Sequence, residues 1–173
     1  MTELTAVANP YEVEKSVLFS RISTEDSKNL HKLNDEIQTI AKEKGLTVTL
    51  LVVGGVLEKS LPRKDIDLIS IFEVNNFPKR GDYKENYDYA VATFNLLEEI
   101  VGKAVALNQN MKIIETIQPS IDEEYGSPAI LKHDGTIKIG VSGGTTIEFI
   151  GGARIGFEKE IEQEKRPYVV LSK

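Results

Sequence analysis

The stretch "LLVVGGVLEKSLPRKDIDLISIF", Leu50 to Phe72, constrains this chain more than any other. "LTVTLLVV" is short, apolar and β-branched, so it reads as a strand that ends at Gly54-Gly55. "VLEKSLPRK" is interrupted by Pro62 and has room only for a helical turn and a loop. "DIDLISIFEV" then reads as a second strand. Side chains alternate faces along a strand, so Asp65 and Asp67 share one face while Ile66 and Leu68 point into a core. Two ionised carboxylates about 7 Å apart on one face repel each other. A hard divalent cation removes that conflict, because aspartate oxygens are the ligands Mg²⁺ prefers.

The surrounding chain supplies a scaffold for such a pair. Ser23 or Thr24 can cap a helix whose first turn carries Glu25 and Asp26, where the helix dipole favours negative charge. Leu30, Leu33, Ile37, Ile40 and Ala41 recur at helical spacing, and Gly45 is placed to end the helix. Val13, Val17 and Leu18 give a weaker helical face upstream. "NNFPKRGDY" reads as a loop and "ENYDYAVATFNLLEEIVGKAVALNQN" as a long helix with Tyr89, Val91, Phe94, Leu97, Ile100, Val101 and Val105 largely facing a core.

Beyond it "MKIIETI", "AILK", "TIKIGV" and "TTIEFI" are short β-like runs separated by turn signals. "PAILKHDGTIKIGVSGG" predicts a hairpin turning at His133-Asp134-Gly135. The charged C-terminal "FEKEIEQEKR" suggests a short helix, followed by Pro167 and a last apolar stretch. The expected fold class is α/β (α+β): a mixed sheet, helices mainly on one face, and an antiparallel C-terminal part.

Composition narrows the chemistry. The 173 residues suit one domain. Without cysteine there is no disulfide framework, thiolate zinc site or cysteine nucleophile. No run approaches the ~18 apolar residues of a membrane-spanning helix. The N-terminus is acidic and broken by Asn9-Pro10, unlike a signal peptide, so a cytoplasmic location is expected. A net charge of −6 argues against a general nucleic-acid binder, although "KSLPRK" is locally basic. His31 and His133 lack metal-ligand spacing and read as a solvated helix residue and a turn residue. Tyr83, Tyr87 and Tyr89 fit packing better than base stacking.

The glycines and the basic stretch complete a pattern. Gly54 and Gly55 let a backbone approach a phosphate closely. Lys59, Ser60, Arg63 and Lys64 supply donors that can reach a triphosphate. A strand, then Gly-Gly, nine residues and Asp-Ile-Asp-Leu resembles the DNA polymerase beta-type nucleotidyltransferase superfamily.

The motif covers Leu50 to Ile71, and the order of elements extends the likeness to about Gly152. The resemblance implies a nucleotidyltransferase domain over 23–152, with an N-terminal extension (1–22) and a C-terminal extension (153–173) packing on the same domain. It implies transfer of a nucleoside monophosphate from a nucleoside triphosphate to a hydroxyl, with Mg²⁺ (or Mn²⁺) held by Asp65, Asp67 and a third carboxylate. Glu148 in "TTIEFIGG" is preferred for that place over Glu115 in "KIIETIQP". The acceptor is left open between a small molecule, an RNA end and a protein hydroxyl. Two departures stand out: relatives often carry Ser at the Gly55 position and a small hydroxyl residue at the Lys64 position. A catalytically inactive nucleotide-binding or antitoxin-like module is the alternative.

Overall fold

A computed structural model describes residues 12–58, 65–73, 83–122, 130–151 and 167–172. The elements in chain order are α1 (Lys15–Arg21), α2 (Thr24–Glu43), β1 (Thr47–Val53), α3 (Gly55–Glu58), β2 (Asp65–Glu73), α4 (Tyr83–Ala106), β3 (Met111–Ile117), β4 (Ser120–Asp122), β5 (Ile130–His133), β6 (Thr136–Val141), β7 (Thr146–Ile150) and β8 (Val169–Ser172).

α2 begins as its sequence dictates. The Ser23 hydroxyl accepts the Asp26 amide at 3.0 Å, which satisfies one of the free N–H groups of the first turn. At the other end Gly45 takes φ +71, the left-handed conformation that closes a helix. Leu30, Leu33, Ile37, Ile40 and Ala41 are buried, as their spacing requires.

Six strands form one sheet in the order β3-β6-β7-β2-β1-β8, and β4 pairs separately with β5. β2 and β7 run parallel, whereas the other neighbours in the six-stranded sheet are antiparallel. The fold is therefore mixed α+β, with the C-terminal half built mainly from antiparallel pairs. The main core lies on one face. Leu18 of α1, the apolar stripes of α2 and α4, and Val48, Leu50, Val52, Ile66, Leu68, Ile137, Ile139, Ile147 and Phe149 of the strands form one cluster. The opposite face has its own small cluster of Leu51, Val53, Ile69 and Tyr168, flanked by Ile71, Ile150 and Val170. β1 is buried on both sides from Val48 to Val53, which explains its unbroken apolar run.

Three elements depart from expectation. β5 does not form a hairpin with β6; it pairs with β4, and the chain crosses to the main sheet through Gly135. Gly135 adopts φ +89, and a Cβ there would lie 2.4 Å from the Phe94 ring, so only glycine fits. The expected hairpin exists one turn later, between β6 and β7 across Ser142-Gly143-Gly144. The last apolar stretch is β8, an integral strand beside β1, and α1 also reaches the main core. The charged segment expected as a C-terminal helix lies outside the described residues.

Candidate active site

The parallel pairing of β2 with β7 sets the geometry. Asp67 lies in register with Glu148, and Asp65 with Thr146. Ile66, Leu68, Ile147 and Phe149 point into the main core. The alternation of strands therefore turns Asp65, Asp67 and Glu148 to the opposite face together. Neighbouring strands lie about 4.8 Å apart and residues i and i+2 about 7 Å apart, so these three carboxylates occupy one small patch. All three are half-buried. The apolar cluster of that face touches the acidic row at Val53, the partner of Asp67, and continues one row further along at Ile69 and Ile150.

Gly54 borders the same patch. It follows Val53, the register partner of Asp67, and takes φ +85. A Cβ at Gly54 would come within 2.8 Å of Asp67 Oδ2. The glycine is needed twice over, once for its backbone and once for the space the carboxylate fills. Gly55 is buried and opens α3. A single turn has only a small dipole, and the Leu57 amide of α3 already donates to the Gly54 carbonyl at 3.0 Å. Arg21 of α1 fastens this turn by donating to the Leu57 carbonyl at 2.5 Å. Lys59, Ser60, Arg63 and Lys64 lie outside the described residues.

Register also separates the two candidates for the third acid. One row of the sheet reads Val53, Asp67, Glu148, Lys138, Glu115. Glu148 is one strand from Asp67. Glu115 is three strands away, about 14 Å at the backbone, and it is exposed on an edge strand beyond a bulge. Metal–oxygen bonds of about 2 Å leave no way for Asp67 and Glu115 to share an ion without a large rearrangement.

Lys138 was not singled out from the sequence. It stands between Ile137 and Ile139, both in the main core, and so faces the acidic side. The alternation of "TIKIGV" carried that signal, but not which strand would lie beside it. Asp26 is the second residue the sequence left unread. It is buried, and its carboxylate accepts the Thr145 amide at 2.7 Å and the Thr145 hydroxyl at 2.6 Å. This clasp ties the start of α2 to the residue preceding β7, and hence to the strand that carries Glu148.

The remaining candidates serve structure. His31 is exposed, stacks on Phe19 with ring centroids 4.5 Å apart, and lies 2.8 Å from the Ser27 carbonyl. His133 Nδ1 accepts the Gly135 amide at 2.9 Å. Tyr87 is half-buried on α4, and the side chains of Tyr83 and Tyr89 lie outside the described residues.

The donor set suits a hard cation, being oxygen only. Among the described residues, Asp65, Asp67 and Glu148 included, no group of three or more His, Cys, Asp or Glu side chains is placed to hold a metal ion. Mg²⁺ does not demand one. It keeps several waters and commonly takes one or two carboxylates, the rest of its shell coming from substrate phosphate. Among the described residues no helix is long and apolar enough to cross a membrane. No family model matches the chain, and no curated protein matches it.

Proposed function

We propose that this chain is a metal-dependent nucleotidyltransferase of the DNA polymerase beta type, acting in the cytoplasm. The observation that carries the reading is the register match of Asp67 with Glu148 on parallel strands, with Gly54 against the Asp67 carboxylate. Asp65, Asp67 and Glu148 would hold Mg²⁺ or Mn²⁺. When bound, such ions neutralise the triphosphate and stabilise both the attacking and the leaving oxygen.

The protein's own contribution is placement. Gly54, Gly55 and the basic segment of Lys59, Ser60, Arg63 and Lys64 seat the triphosphate tail. Glu148 takes the proton of the attacking hydroxyl as the new P–O bond forms at the α-phosphorus. The bond from that phosphorus to the bridging oxygen breaks, and pyrophosphate leaves. The acceptor is a hydroxyl on a small molecule, an RNA end or a protein.

Gly55 favours a second reading, a nucleotide-binding or antitoxin-like module without turnover. A glycine there retains the amide but lacks the hydroxyl that active relatives often use. One experiment separates the two. The protein is incubated with Mg²⁺ and each α-labelled nucleoside triphosphate, with cell extract as acceptor, and pyrophosphate and labelled products are measured. Transfer that disappears in the Asp65→Asn/Asp67→Asn double variant supports the enzyme. Nucleotide binding without pyrophosphate supports the module, and full transfer by the double variant refutes the site.

A further inference from the structure

The large apolar side chains left exposed among the described residues are Leu107, Ile113, Ile114 and Ile117. All of them fall on one stretch, the end of α4 and the strand β3 that follows it. β3 is also the end strand of the six-stranded sheet. It bonds to β6 on one side, and among the described residues no strand lies on the other, so the outward N–H and C=O groups of β3 have no ladder partner. Every residue from Lys112 to Ile117 is exposed. An exposed apolar edge of this kind is a template for another strand.

Register places the charges along that edge. Lys112 pairs with Gly140 and Glu115 with Lys138, and Gly140 and Lys138 alternate with the core residues Ile137 and Ile139. Lys112 and Glu115 therefore share a face, the one away from the main core. A bulge at Ile114 accounts for their odd spacing. The Ile114 side chain lies over Gly140, where a Cβ would meet its Cγ2 at 3.0 Å. Among the described residues neither Lys112 nor Glu115 forms an ion pair. The edge thus has a basic end, an apolar middle and an acidic end, and it complements itself when turned end for end.

We propose that β3 pairs antiparallel with β3 of a second copy of this chain, about a two-fold axis that joins the two six-stranded sheets. The pairing sets Lys112 of each copy beside Glu115 of the other, twice, with Ile113 and Ile114 of both copies at the centre. An in-register parallel pair sets lysine against lysine and glutamate against glutamate, so the charges select the antiparallel one. The faces that carry Glu115 and Glu148 then lie on the same side of the joined sheet. The contact is small, seven strand residues a side against about 20–30 in a standard interface, so the dimer is a weak, micromolar one. Nothing in this pairing depends on the nucleotidyltransferase reading.

The test is sedimentation velocity of the full chain from about 1 to 500 µM, the range a small interface calls for. Wild type should pass from monomer to dimer as concentration rises. Lys112→Glu and Glu115→Lys should each weaken dimerisation by about tenfold or more, since like charges then face each other at both contacts. An equimolar mixture of these two variants should dimerise about as wild type does, because opposite charges meet again at both contacts. The double variant Lys112→Glu/Glu115→Lys should recover for the same reason. Both positions are exposed, so circular dichroism melts at low concentration should stay within about 2 °C of wild type. A wild type that stays monomeric throughout that range overturns the proposal and leaves the edge to another occupant. A dimer indifferent to the single charge reversals, or a mixture that fails to recover, overturns the antiparallel pairing of β3.

Discussion

Replacing Gly54 with alanine should damage the site far more than the fold. The change has two consequences that a paired control separates. At φ +85 an alanine pays a left-handed backbone cost of about 1–2 kcal/mol. Its Cβ also lands 2.8 Å from Asp67 Oδ2, where ordinary contact begins at 3.4 Å, so the carboxylate must retreat by about 0.6 Å. The far end of a side chain can retreat at little cost in stability.

Gly45→Ala is the control, because Gly45 has φ +71 with nothing within 4 Å of its missing Cβ. Both variants should melt about 2–8 °C below wild type, following the usual relation of Tm to free energy for a chain of this size. Their function should diverge. Gly45→Ala should bind Mg²⁺-ATP and turn over as wild type does. Gly54→Ala should lose about tenfold to a hundredfold, since displacement of a reacting group by about 1 Å can cost that much. Circular dichroism melts, calorimetry with Mg²⁺-ATP and pyrophosphate release read the two effects. Equal function in the two variants would refute the idea that Asp67 needs its present position.

Other consequences follow from particular contacts. Asp26→Ala removes two short hydrogen bonds to Thr145 and leaves its amide and hydroxyl without that acceptor. A loss of about 2–4 kcal/mol is expected in urea unfolding, and a loss below about 0.5 kcal/mol would show the clasp to be idle. Glu148→Gln should abolish transfer while Glu115→Gln leaves it near wild type; the reverse result in a labelled transfer assay would move the third acid to β3. The Glu99 carboxyl is held below its ordinary value of 4.5, first by its hydrogen bond to Lys44 and then by that to Lys103. A lowered carboxylate pKa means that its contribution is present above the unfolded value and is lost as pH falls through the folded one. An NMR titration should place Glu99 below 4.5, and should return it toward 4.5 in Lys44→Met.

The sequence disclosed faces better than neighbours. The period of Leu30, Leu33, Ile37 and Ala41 gave α2, and the alternation in "DIDLISIF" put Asp65 and Asp67 on one face, because each depends only on local geometry. The parallel match of β2 with β7 could not be read that way. It joins residues some eighty positions apart, and alternation says which side a residue faces but not which strand lies beside it. The same limit hid the place of Lys138 beside Glu148 and of β8 beside β1. "AILK" has the pattern of a sheet strand, yet the left-handed turn at Gly135 and the Phe94 ring beneath it direct β5 to β4 instead. Asp26 looked like an ordinary first-turn acid. Only the arrival of the β6–β7 turn over the start of α2 gives it Thr145 as a partner.

The most direct test is to grow crystals with Mn²⁺ and a non-hydrolysable nucleoside triphosphate and locate the manganese by anomalous scattering. The account predicts density bound by Asp67 together with Asp65 or Glu148, and the triphosphate lying against Gly54 and Gly55. Manganese bound elsewhere, or no manganese at these carboxylates with nucleotide present, would contradict it.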